Sequence, residues 1–205
     1  MMKIKIPVFL VIFIPLMLLP CMLFSQTWKF VKEKDGVKLF TRDEKGMNLK
    51  FFKGVAEINQ STEKIYALLE DVNHNEWWDA NLKQIKVLQY EKNKRSQLYM
   101  IYTMPWPFKS RDLSVNMTFT INQTTGEYKV TSVPLSGVSP ENKDLVRIKD
   151  YRQVWTLKPE NNKTYLELEF YVDPVENIPN WLLNMILIDT PISSIKALRK
   201  LIERK

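Results

Sequence analysis

Two periods alternate along this chain. Over residues 37–42 apolar and polar side chains take turns, which predicts a half-buried strand, and residues 49–58 form a second. Ser61-Thr62-Glu63-Lys64 then opens a helix. Ser61 can cap it, Glu63 sits in the positive first turn, and Ile65, Leu68, Leu69 and Val72 fall on one face. From residue 82 to 172 the pattern returns to strands and turns. Residues 86–91 and 97–104 flank a polar turn, as do 113–121 with 128–133 and 148–157 with 165–172. Three successive hairpins predict a meandering antiparallel sheet. In the last strand Leu166, Leu168, Phe170 and Val172 face one way, and Tyr165, Glu167, Glu169 and Tyr171 face the other. One face of the sheet is therefore wet.

The carboxy terminus changes to a helical period over residues 180–204, with Trp181, Met185, Ile188, Ile192, Ile195 and Leu198 along one broad stripe. Pro191 must break or kink this segment near its middle. Lys196, Arg199, Lys200, Arg204 and Lys205 suit the negative end of a helix dipole. The fold class this predicts is α+β: a curved antiparallel sheet closed on one side by a long apolar helix.

The amino terminus is different again. Lys3 and Lys5 precede residues 6–24, which carry no charge. That stretch is long enough for an anchor, yet Pro7, Pro15 and Pro20 weaken a continuous helix. Ser25 supplies a small residue for cleavage, so residues 1–25 read as a signal peptide. An uncleaved anchor and lipidation at Cys21 are the two other readings. All three put residues 26–205 outside the cytoplasm as one domain, periplasmic or secreted.

Composition narrows the chemistry. Hydrophobic residues make up 45% and charged residues 26%, the balance of a globular domain. The single Cys lies in the leader, so the remainder has no disulfide, cysteine-bound zinc or thiol nucleophile. With His74 as the lone histidine, paired-histidine metal sites are excluded too, and its setting between Asn73 and Asn75 reads as an exposed turn. The net charge of +7 includes Lys3 and Lys5. A mild excess of this size suits solubility and contact with an anionic membrane. Nucleic-acid binding would call for dense basic clusters.

Five segments, taken in order, resemble the START family of lipid-binding domains, part of the helix-grip superfamily. They are Trp28 with Asp35-Gly36-Val37 and Arg42; Asp71 with Trp77-Trp78-Asp79; and Pro105-Trp106-Pro107 with Arg111-Asp112. Val146-Arg147 with Tyr151, Trp155 and Pro159 is the fourth, and Asp173-Pro174, Ile178-Pro179, Trp181-Leu182, Asn184 and Pro191 make the fifth. The resemblance covers about residues 27–204. It implies a sheet wrapped around the carboxy-terminal helix, a tunnel between them for one lipid, and neither cofactor nor catalytic apparatus.

Under that reading, strand alternation supplies the candidate lining residues. Leu98, Met100, Tyr102 and Met104 share one face of their strand, and Leu113, Val115, Met117, Phe119 and Ile121 share one face of the next. Leu166, Leu168 and Phe170 come from the last strand, and Trp181, Met185 and Ile188 from the helix. Sterol-binding members often hold a buried acid–base pair, and the corresponding positions here are Leu98 and Met117. The resemblance thus implies recognition by shape, with Tyr102, Gln153 or Arg147 available to a headgroup. Arg111 and Asp112, adjacent on a strand, point to opposite faces and read as structural.

The expected function is binding and transfer of a lipid or other hydrophobic small molecule, with transient membrane-surface contact and no nucleic-acid partner. Two alternatives belong to other classes: a cyclase- or hydrolase-like enzyme using the same cavity, and a membrane-tethered interaction module with a filled core.

Overall fold

The computed structural model of the chain describes residues 27–44, 50–72, 81–173, 175 and 178–204. The leader, His74 and Trp77-Trp78-Asp79 lie outside the described residues.

The first hairpin joins β1 (Lys29–Lys34) to β2 (Val37–Asp43). Asp35 and Gly36 both have positive φ, 53° and 66°, as a two-residue turn matched to strand twist requires. β1 was not legible in the period: its Lys-Phe-Val-Lys-Glu-Lys run does not alternate, and the register slips between Phe30 and Lys32. Such a charged, irregular strand suits a sheet edge, where it discourages pairing with another chain. β3 (Lys50–Ile58) leads into α1 (Thr62–Glu70), where Ser61 Oγ accepts the Lys64 N–H at 3.4 Å and caps the helix as expected.

The meander follows as β4 (Leu82–Glu91), β5 (Arg95–Tyr102), β6 (Arg111–Ile121), β7 (Tyr128–Pro134), the short β8 (Val146–Arg147), β9 (Tyr151–Glu160) and β10 (Lys163–Val172). Asn161 and Asn162 both take positive φ between the last two, a second tight hairpin turn. The sheet order is β1-β2-β3-β10-β9-β7-β6-β5-β4, with β8 parallel to β6 and every other pairing antiparallel. The β3–β10 pairing unites the two ends of the chain and makes one curved sheet of what periodicity gives as separate hairpins.

The carboxy-terminal stretch is two helices, α2 (Asn180–Leu187) and α3 (Thr190–Arg204). Pro191 stands in the first turn of α3, where its missing N–H interrupts no helical bond. α3 packs on β2, β3 and β10, and α1 on β7 and β9. Between them and the sheet lies a core that includes Val37, Leu39, Ile65, Leu69, Leu157, Leu166, Leu168, Ile195 and Leu198, all buried. Gly54 permits the closest approach. A Cβ there would lie 2.7 Å from the Pro191 Cβ and 3.1 Å from the Ile195 Cδ1.

Candidate functional site

Past the end of α3 the concave face is no longer filled. A cavity of about 100 Å³ lies between the sheet and α2. Strand alternation supplies its walls: Tyr102 from β5, Arg111 and Leu113 from β6, Tyr151 and Gln153 from β9, and Phe170 and Val172 from β10. Asn81, Thr103, Met104 and Ile148 extend the rim, and Thr190 closes the end nearest α3. The cover is α2, through Leu183, Ile186 and Leu187. Their three- and four-residue spacing puts all three on one side of the helix.

The fifteen residues proposed from sequence are spread over three environments. Tyr102, Met104, Leu113 and Phe170 line this cavity. Leu98, Met100, Val115, Met117, Phe119, Leu166 and Leu168 are buried in the filled core beyond it. Ile188 packs half-buried against that core, whereas Ile121 and Trp181 are 39% and 67% exposed. The side chain of Met185 lies outside the described residues. Sequence reasoning missed Ile148, Tyr151, Leu183, Ile186 and Leu187. Residues 181–187 read Trp-Leu-Leu-Asn-Met-Ile-Leu, apolar almost all round, so period alone does not choose a face. Of the three suggested headgroup contacts, Tyr102 and Gln153 line the cavity. Arg147 is engaged on the opposite side of the sheet.

That engagement explains why Arg111 and Asp112 part company. Arg111, only 2% exposed, turns towards the cavity. Its Nη1 donates to the Lys109 carbonyl, and its Nη2 donates to the Val175 carbonyl at 3.3 Å, tying β6 to the segment that leads into α2. Asp112 faces the other way and is 1% exposed. Arg147 Nε reaches its Oδ1 at 2.8 Å, Arg147 Nη2 its Oδ2 at 2.7 Å, and the Tyr99 hydroxyl donates to Oδ2 at 2.9 Å. Burial alone would raise the Asp112 carboxyl, but these hydrogen bonds and the guanidinium charge outweigh it and hold it below the ordinary carboxylate value. This buried bidentate pair fastens β8 beside β6, and Ile148, next in the chain, reaches the cavity wall.

The same arrangement recurs in known proteins. The START domain sequence profile matches residues 23–204, a span that takes in every described residue. The chain belongs to the START domain family. Among START proteins, a solved STAR-related lipid transfer protein from Xanthomonas axonopodis is 25% identical, superposes with a TM-score of 0.77, and is matched over 86% of this chain and 98% of its own. An uncharacterised Pseudomonas aeruginosa protein is 28% identical over 184 residues, 88% of this chain and 89% of that protein. The phosphatidylcholine transfer protein of Rattus norvegicus is 23% identical over 165 residues, 77% of this chain and 75% of that protein. The expected START architecture, a curved antiparallel sheet with a carboxy-terminal helix, is the one found.

Proposed function

We propose that this START domain takes one lipid into the cavity under α2 and carries it between membranes without altering it. The observation that carries the reading is the apolar hollow itself, walled by Leu113, Ile148, Phe170 and Val172 and covered by the apolar face of α2. Hydration penalises an exposed chain by roughly 0.8 kcal/mol per CH₂, on the order of 10 kcal/mol for sixteen carbons, and a dry wall offsets that. A space of about 100 Å³ is below the roughly 300–1,000 Å³ of ordinary ligand pockets. Loading therefore requires α2 to swing out and the wall side chains to rearrange.

Two exposed tryptophans support contact with a membrane at this end. Trp106, 93% exposed, follows the rim residue Met104 by two positions, and Trp181 precedes the cover residue Leu183 by two. Indole rings favour the interface between water and lipid, with one edge dry and one wet. The net positive charge adds attraction to anionic lipids. With residues 1–25 acting as an export leader, this contact takes place outside the cytoplasm.

The test is to purify the chain, extract it and identify any bound lipid by mass spectrometry, then measure transfer between donor and acceptor vesicles. The name of the rat relative makes phosphatidylcholine the first cargo to try. One unmodified lipid per protein is expected, and Leu187→Trp should abolish uptake while leaving the circular dichroism spectrum unchanged. Recovery of a chemically altered product would replace the carrier reading with an enzymatic one. A protein that takes up no lipid from any vesicle would exclude both.

A further inference from the structure

One row of side chains across the inner sheet face differs from its neighbours. Ser96 of β5 stands opposite Met117 of β6, Met117 opposite Ser132 of β7, Ser132 opposite Gln153 of β9, and Gln153 opposite Phe170 of β10. Gln153 and Phe170 belong to the cavity wall, so the row runs from the cavity into the filled core. The flanking rows are apolar: Leu98 with Val115 on one side, and Phe119, Val130 and Trp155 on the other.

Ser96 and Ser132 are 0% and 1% exposed, and neither hydroxyl has a hydrogen-bond partner among the described residues. Buried hydroxyls are ordinarily paired, because a lone one forfeits its bonds to water and regains nothing. Here two lie on one row with only Met117 between them. Met117 has a flexible, unbranched side chain, the kind that moves aside most readily in a core.

We propose that the cavity lengthens along this row on loading, and that it selects a lipid whose buried end carries an uncharged oxygen, a hydroxyl or a carbonyl. Displacing Met117 brings that end to Ser132 first and Ser96 beyond it. A serine hydroxyl both donates and accepts, so either oxygen group is received. An ionised end is rejected, because two neutral hydroxyls do not compensate a charge taken out of water. This selectivity rests on the lipid-carrier reading and adds to it the chemistry of the cargo.

The experiment offers the full chain vesicles containing equal amounts of two phosphatidylcholines. One has a palmitoyl group at the second glycerol position and the other a 16-hydroxypalmitoyl group. The lipids extracted with the protein are then counted by mass spectrometry. Wild type is expected to favour the hydroxylated form about tenfold. The double variant Ser96→Ala with Ser132→Ala should take the two equally, keep its uptake of the palmitoyl form, and melt no lower than wild type. Equal uptake by wild type overturns the selectivity while leaving the carrier intact, as does a preference that survives in the double variant. Uptake of neither lipid by wild type overturns the carrier reading and the selectivity with it.

Discussion

The two ends of the concave face are held in opposite ways. Under α3 the space is filled from within: Pro191 and Ile195 close on Gly54, and Leu166, Leu168 and Leu198 leave no room. Charge then pins the outside. Arg199 donates to the carbonyls of Asp35, Gly36 and Glu57 at 2.5, 3.2 and 3.0 Å, Lys196 meets Asp35 at 2.8 Å, and Lys32 meets Asp189 at 2.5 Å. Under α2 there is a hollow, and among the described side chains of that helix none makes an ion pair or hydrogen bond to the sheet. The wall there is braced from behind by Asp112 and Arg147. One end of the sheet supplies stability, and the other is left free to change.

The sharpest test of that contrast is the same truncation at both ends. Leu168→Ala should lower unfolding free energy by about 3–4 kcal/mol, since a fully packed site relaxes little around a new void. Leu187→Ala, beside a hollow that already exists, should lower it by only about 1 kcal/mol. Urea melts of the two variants decide it, and equal losses would erase the distinction.

Removing the brace should come next in size. Asp112→Ala leaves the largely buried Arg147 guanidinium without its carboxylate and should weaken folding by about 3 kcal/mol at pH 7. The sign with pH follows from the direction of the shift. The Asp112 value is depressed in the folded chain, so its contribution is complete above the unfolded value near 3.8 and is lost as pH falls through the folded one. The gap between wild type and variant should therefore narrow below about pH 4. A gap that stays constant down to pH 2 would show that the pair is not the brace.

Overfilling should cost less than removing the brace. Gly54→Ala pushes a methyl group into Pro191 and should reduce stability by about 2 kcal/mol without touching lipid uptake. Lost uptake in that variant would mean that the two ends are mechanically joined.

How much of this was legible in the sequence varies with the kind of signal. The β10 alternation reports its buried face directly, because period 2 has only two phases, and Leu166, Leu168 and Phe170 all point inward. The same signal does not tell a core residue from a cavity residue. Phe170 borders the hollow and Leu168, two positions away, does not, and that difference depends on where α2 and α3 end. β1 was missed because edge strands are built to avoid clean alternation. The pairing of β3 with β10 joins residues more than a hundred positions apart, a distance at which local pattern is silent. Motif order performed better than period, since it carried the START resemblance across about residues 27–204, and the family profile matches residues 23–204.

The two-residue gap between α2 and α3 has a further consequence. An unbroken rod would oblige its whole length to tilt, dragging Arg199 and Lys196 off the first hairpin each time cargo entered. Because the rod is divided at Ile188 and Asp189, with Asp189 held by Lys32, the short segment can pivot while the long one stays seated. Under the proposed carrier function, the work of opening is confined to eight residues and need not scale with the strength of the rest of the fold.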